Sequence, residues 1–505
     1  MTQPALAAPT RRFDPRWLPL IVTTIGGFMS ILDSNIVNIA LDTILKDFHA
    51  DLGAGQFVIT AYIMALAVMI PLSGFLGERI GFKRLYIITI ACFTLGSAMC
   101  GFAWNLPSLI LFRVLQGVGG GMLQPLGMAI VFQLITPLER PKFVALLGVP
   151  SLVAPIMGPS LGGYIVQYAS WRFVFWINIP IGVADVLLAF ALLKSFPARR
   201  GAPFDLRGFA FAAVAFPSLV FALGNAVDAG WFAAPTLIAL VVGSVCAAMF
   251  VRVELRHHDP LLRIRLFADP LFRRSLSVQY IGFFSLFGLN FLLPLYLQIA
   301  YGWGAAKTGT ALLPMGIVAF VTMNLASRRY NKWGPRPLAA TGLSVLAFTT
   351  LLWTRVGVHT AVPFIILLVC FRGLALGFFG EALQMCTYNA VPEGQIPRAT
   401  SLVNTAQRLI GAISTALIAT ILVASLRLHG APPGASIING TASPSLTVTA
   451  FRDAFYVMTA LSVLGIGISM FLRDRVLMAQ NAAVRLASVE TEPAPEVAEA
   501  LWKRA

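Results

Sequence analysis

GFLGERIGFKR, residues 74–84, separates two long apolar runs. Gly77 and Gly81 permit a tight chain reversal, and Glu78, Arg79, Lys83 and Arg84 are expected to hold the turn in water. A hairpin between two membrane helices needs this composition. Its Lys and Arg residues put it on the cytoplasmic side, where basic loops are retained.

The rest of the chain agrees with that reading. Of 505 residues, 58% are hydrophobic and only 11% charged, against about 25% charged in soluble domains, and the mean hydropathy is +0.80. These values describe an all-α polytopic membrane protein. The net charge of +16 raises nucleic acid as a partner, but the basic residues lie in short clusters between apolar runs and so act as topology signals. The five cysteines fall in or beside apolar runs with no metal-ligand spacing and no extracellular pair. His257, His258 and Asp259 read as a solvated linker, not a metal site. Arg11, Arg12 and Arg16 precede the first apolar run, which lacks a small-residue cleavage site and reads as a retained helix.

About 20 apolar residues cross a bilayer as a helix. Fourteen segments qualify: 17–41, 55–77, 84–103, 107–135, 143–167, 173–194, 207–226, 233–253, 274–300, 308–327, 337–356, 361–387, 400–425 and 451–472. With a cytoplasmic N-terminus, 28 of the 37 Lys and Arg lie in cytoplasmic segments, 6 in outer segments and 3 within spans. That bias places both termini in the cytoplasm. An internal repeat divides the chain. Residues 327–337, SRRYNKWGPRP, echo 74–84, with Gly334 and Arg336 at the positions of Gly81 and Lys83. RVLQGVGGGMLQ (113–124) in the fourth span is echoed by RGLALGFFGEALQ (372–384) in the twelfth. The expected organisation is a cytoplasmic N-terminus (1–16), a six-helix half (17–194), two linker helices with their connectors (195–273), a second six-helix half (274–472) and a disordered tail (473–505). The Pro/Gly/Ser-rich stretch after Arg427 is the longest outer loop.

An ionisable side chain at a helix centre in the bilayer costs about 2.5 to 3.5 kcal/mol on insertion scales. Each therefore needs a partner, a watered cavity or a task. Six are found: Asp33, Arg113, Asp185, Arg372, Glu381 and Arg408. Asp33 lies about 12 Å and Arg113 about 9 Å from the outer ends of their spans at 1.5 Å per residue, so the two can pair. Asp185 shares a helical face with Asn178, seven residues earlier; it either lines a cavity and binds a cation or proton, or pairs with a neighbouring helix. Glu381 either exchanges protons or meets a cationic substrate, or else pairs structurally. Arg372, nine residues earlier on another face, cannot reach it. Arg408 reads as a packing residue.

Several of these stretches resemble motifs of the major facilitator superfamily, and in particular its fourteen-helix drug:proton antiporter branch. Residues 74–84 are similar to the signature loop G-x-L-a-D-r-x-G-r-k/r, matching at Gly74, Leu76, Arg79, Gly81, Lys83 and Arg84; Glu78 replaces Asp and Phe82 replaces Arg. LDSNIVNIAL (32–41) resembles the branch's first-helix motif around Asp33, with Asn35 in place of Thr. Arg113, Gln116, Gly117 and Gly119 resemble the proton-linked motif R-x-x-q-G-x-g. Gly158, Pro159, Gly162 and Gly163 match the G-P-x-x-G-G end of the antiporter motif, with Pro155 preceding. Physically, those glycines allow close packing and the prolines bend the helix, so the fifth span is expected to hinge against the second half. WRFVFWINIPIG (171–182) and NFLLPLYLQ (290–298), with Asn290 and Gln298, resemble further stretches of the branch.

The resemblance implies a fold of two six-helix halves plus two inserted helices, and a proton-coupled exporter of lipophilic, cationic drugs or other amphiphiles, working by alternating access in a bacterial inner membrane. Asp33, Arg113 and Glu381 would couple protons, or the Asp33–Arg113 pair would merely fix helix packing. Asp185, Asn178, Glu381, Asn290 and Gln298 would meet substrate. Gly74, Glu78, Arg79, Gly81, Lys83, Arg84, Pro155, Gly158, Pro159, Gly162 and Gly163 would govern gating. The expected partners are the bilayer, protons, an amphiphilic substrate and an accessory adaptor protein, around a monomer. No cofactor is expected, the proton gradient being the drive. A dedicated exporter of a lipid, fatty acid, siderophore or antibiotic is the alternative, and a non-transporting sensor or scaffold is a further one. No P-loop supports a primary pump, and no catalytic cluster supports an enzyme.

Overall fold

The computed structural model describes residues 17–472 apart from 51, 136–138, 196–204, 300, 358–359 and 433–442. The expected N-terminal segment, most of the long outer loop and the tail lie outside the described residues. Among the described residues every regular element is helical. The first half holds α1 (Trp17–Asp47), α2 (Leu52–Met69), α3 (Leu72–Ile80), α4 (Phe82–Gly101), α5 (Leu106–Phe132), α6 (Arg140–Leu147), α7 (Val149–Tyr168), α8 (Phe173–Trp176) and α9 (Asn178–Leu192). Two helices follow, α10 (Leu206–Asp228) and α11 (Ala234–Arg256). The second half holds α12 (Pro270–Ile299), α13 (Ala305–Trp333), α14 (Pro335–Trp353), α15 (Val362–Asn389), α16 (Ile396–Leu428) and α17 (Pro444–Ser469).

Local chemistry sets several boundaries. Asn105 caps α5 in a reciprocal box with Ser108, satisfying amides that a helix start leaves open. Asp205 caps α10 by accepting from the Gly208 amide. Each of the fourteen expected spans coincides with a helix or a pair of helices. Among the described residues, eleven helical segments are long and apolar enough to cross a membrane alone, and a twelfth span results if the pair α2–α3, bent by 55°, is counted as one. The other two expected spans are carried by α7, of 20 residues, and α14, of 19 residues.

The signature stretch is not a two-glycine loop. It is helical through Ile80, and Gly74 and Gly77 are buried in α3. Gly81 alone turns the chain, at φ 96°, a region that L side chains rarely occupy. Its counterpart in the repeat, Gly334, turns the chain at φ 78° between α13 and α14.

The end of the bundle bearing Gly81 and Gly334, with its Lys and Arg residues, is here called the basic end. There the halves share one apolar cluster: Met128, Phe132 and Phe143 pack with Ala382, Met385, Tyr388 and Ile396. Phe132 and Tyr388 meet edge to face at 4.8 Å, a favoured aromatic geometry. At the opposite end the cores stay separate. One cluster, built from Ile36, Val58, Phe112 and Phe175, belongs to the first half, and another, built from Leu293, Tyr296 and Trp353, belongs to the second. The molecule is therefore closed at the basic end. α10 packs on α2 and α16, bridging the halves, while α11 packs chiefly on α10.

Candidate functional site

Asp33 sits on α1 with no exposure, and Arg113 on α5 is 1% exposed. Arg113 Nη1 donates to Asp33 Oδ2 at 2.5 Å and to Gln116 Oε1 at 2.7 Å. Gln116 Nε2 and Asn178 Nδ2 both donate to Asp33 Oδ1, at 2.8 and 3.2 Å. Asn178 also donates to Ser97 Oγ, which in turn donates to the Phe175 carbonyl. Arg113 Nε donates to the Val58 carbonyl, and the guanidinium lies 3.9 Å from the Tyr62 ring centroid. One carboxylate thus ties α1, α5 and α9 together, and α4 is joined through Ser97. The stretch 171–182 supports this from both ends. Asn178 reaches Asp33, while Trp171 and Arg172 donate to Asp47 at the end of α1. Those bonds, Trp171 foremost, hold the Asp47 carboxyl below its ordinary range.

Asp185 is not beside Asp33. It lies deeper in the first half, where the Tyr86 hydroxyl donates to its Oδ2 at 3.0 Å. Glu381 is wholly buried in α15, and neither carboxylate oxygen has a hydrogen-bond partner among the described residues. A substrate-reading role for Glu381 finds no surface to act on in this conformation. Asn290 is exposed on α12 and accepts from Arg372 at 2.5 Å. Gln298 is exposed two turns further along. Arg408 is not packed away: it is exposed on α16.

At the basic end, Glu78 is not in open water. Its side chain is 15% exposed and pairs with Arg398 of α16 at 2.7 Å. Arg398 also binds Asp259 at 2.6 Å and the Pro260 carbonyl at 2.7 Å. Ser73 and Gly74 meet Ser401 at 2.8 and 2.9 Å. A Cβ at Gly74 would come within 2.7 Å of the Pro397 carbonyl, so glycine is required for this approach. Gly77 is shielded by the Phe82 ring. Arg79 and Arg84 are exposed, and Lys83 donates to the Phe190 carbonyl.

In α7 the backbone remains helical through Pro155 and Pro159. Gly158 and Gly162 face Asn35 and Ile36 of α1, whereas among the described residues nothing lies near Gly163. The tight glycine contact is thus within the first half, although α7 also meets α13 of the second.

A sequence model described as Major Facilitator Superfamily matches residues 23–415. The chain belongs to the Major Facilitator Superfamily. Its relatives include the uncharacterized MFS-type transporter YhcA of Bacillus subtilis, 32% identical over 81% of this chain and 77% of that protein. The fatty acid resistance protein FarB of Neisseria gonorrhoeae is 33% identical over 80% of each. The putative multidrug resistance protein MdtD of Salmonella paratyphi B is 30% identical over 81% of this chain and 87% of its own length. Among solved structures, the human organic anion transporter MFSD10 superposes with a TM-score of 0.65 over 90% of this chain at 16% identity, which establishes the fold. As a member of this transporter superfamily the protein is not an enzyme.

Within this major facilitator protein, the sequence named Gln116 in the motif with Arg113, and the three-residue spacing that puts both on one helical face made its part in the network readable. Ser73, Ser97, Arg398 and Ser401 carried no such signal. Each acts through a helix distant in sequence, and Arg398 passed as one more basic loop residue.

Proposed function

We propose that the protein is a proton-driven exporter of amphiphilic molecules, working by alternating access in a bacterial inner membrane with the basic end and both termini in the cytoplasm. The observation that carries this reading is the buried network around Asp33. A fully buried carboxylate on α1, bonded to α5 and α9, changes their mutual hold when its charge changes. Asp33 accepts from Arg113, Gln116 and Asn178. A proton on Asp33 removes the charge attraction to Arg113. The guanidinium keeps the Val58 carbonyl, Gln116 Oε1 and the Tyr62 face, which lessen but do not cancel the cost of a buried cation without its counter-ion, and that cost drives the network to rearrange. α1 is then freed from α5 and α9 at mid-membrane. The inter-half contacts at Glu78–Arg398 and Ser73–Ser401 supply the element that must open for substrate to enter from the cytoplasm.

On this reading the energy source is the proton gradient, with no cofactor. The working unit is a monomer, and an accessory adaptor carries cargo onward. The cationic preference expected from Glu381 gains no support from a side chain so enclosed. The similarity to FarB favours a second reading, a dedicated exporter of an endogenous amphiphile such as a fatty acid.

The test is uptake of a fluorescent amphiphile into energised inverted vesicles. Wild type should concentrate the dye, a protonophore should abolish this, and Asp33→Asn should reduce the rate to background. Protonophore-insensitive uptake, or full uptake by Asp33→Asn, would overturn proton coupling through this site.

A further inference from the structure

The two halves carry the same arginine in different company. In the first half Arg113 of α5 binds an aspartate, Asp33, on the half's first helix. In the second half the repeat places Arg372 on α15, and its partner on that half's first helix, α12, is neutral. Arg372 Nη2 donates to Asn290 Oδ1 at 2.5 Å and to the Leu286 carbonyl at 3.0 Å. Its Nε has no partner among the described residues, although the side chain is only 2% exposed. Glu381 lies nine residues on, half a turn round α15 and about 13 Å along it, out of reach. A buried cation held only by neutral acceptors is costly, and an anion placed beside it relieves that cost.

A second cation stands close by. Arg408 is exposed on α16, a helix that packs on α3 and α5 of the first half as well as on α12. That helix therefore borders the space between the halves. No hydrogen-bond acceptor holds Arg408 among the described residues. Phe287, one turn before Asn290, packs against Gly411, one turn after Arg408. This contact sets Arg408's helix against the helix that holds Arg372's partner, and beside it Phe283 meets Phe287 at 6.0 Å and, edge to face, the buried Phe379 at 6.3 Å. Asn290 is exposed where Asp33 is sealed, so the second-half site opens to a ligand as the first-half site does not.

We infer that Arg372, Asn290 and Arg408 form a binding site for the carboxylate head of an amphiphile, with the half-buried Phe283 and Phe287 taking its apolar body. The ligand supplies in the second half the charge that Asp33 supplies in the first. This deepens the exporter reading and rests on it for the site's purpose. Carboxylate is the matching head because a guanidinium binds it with paired, charge-assisted hydrogen bonds, while the Asn290 amide offers a further donor.

The test holds the tail constant and varies the head. Radiolabelled dodecanoate, dodecanol and dodecyltrimethylammonium are titrated against the full-length protein in nanodiscs, with empty discs as background; 2-naphthoate separates acyl carboxylates from aromatic ones. Dodecanoate should bind at least tenfold more tightly than dodecyltrimethylammonium. Asn290→Asp, which gives Arg372 an internal carboxylate, should reverse that order. Arg408→Gln, at an exposed position where folding is least at risk, should lower the dodecanoate-to-dodecanol affinity ratio at least tenfold. Equal binding of anion and cation, or ratios unmoved in both variants, would overturn the site. Proton-driven export of the three compounds, read in inverted vesicles, separates the two claims. Head-group preference without export sinks the exporter reading alone, and export without preference sinks the carboxylate site alone.

Discussion

Asp33 shows how one charge can be both structural and functional. Removing one partner of a buried pair leaves the other uncompensated, at a cost of about 3 to 5 kcal/mol, whereas removing both is far cheaper. Asp33→Asn should therefore lower the melting temperature of the purified protein and stop proton-driven transport. The double variant Asp33→Asn with Arg113→Gln should recover most of the melting temperature and none of the transport. Fluorescence melting and vesicle uptake on the same preparations check this. If the double variant transports, the pair only fixes packing. Burial is also why the residue scale was partly legible. A charge within an apolar run must have a partner, and the equal depths of Asp33 and Arg113 named it. Arg372 defeated the same logic because its partner is a neutral asparagine, and Arg408 because exposure on a helix cannot be told from packing in a sequence.

Helices were the most legible features, since runs of about 20 apolar residues leave few alternatives in lipid. What those runs concealed was direction. α7 carries glycines at 158, 162 and 163, and spacing alone does not say which neighbour each one meets. In the structure a Cβ at Gly158 would sit 2.8 Å from Asn35 Cβ, and one at Gly162 would sit 2.9 Å from Ile36 Cγ1 and 3.1 Å from the Ile36 carbonyl. At Gly163 a Cβ would meet nothing within 4 Å among the described residues. Overpacking a tight contact costs about 1 to 3 kcal/mol. Gly162→Ala, pressed against a backbone carbonyl, should thus lose stability on that scale, while Gly163→Ala should melt like wild type. Equal melting of the two would mean that α1 and α7 are not held at this spacing. Likewise, residues 74–84 read as a loop because glycines and charges interrupt the apolar pattern. The structure keeps them helical because Gly74 and Ser73 pack against α16, a contact with no local trace in the sequence.

At the scale of the molecule, the apolar seam of the basic end is fastened by a small set of polar contacts among the described residues. Arg398 holds Glu78 from the first half together with Asp259 and Pro260 from the connector after α11, so a single guanidinium joins both halves and the inserted pair. Ser73 and Ser401 touch across the same seam at 2.8 Å. Cysteines at these two positions should form a disulfide on mild oxidation, and the native cysteines, all buried or half-buried, compete poorly for it. Alternating access requires this seam to part once per cycle. The oxidised Ser73→Cys/Ser401→Cys protein should therefore transport at background rate and regain activity on reduction. Adding Arg398→Gln leaves Glu78 and Asp259 without their shared counter-ion, which favours separation of the seam, and the crosslinking rate should fall several-fold while total thiol content stays constant. Full transport by the crosslinked protein would mean that the basic end need not open, and the rocking of two halves about a central site would have to be abandoned for this chain.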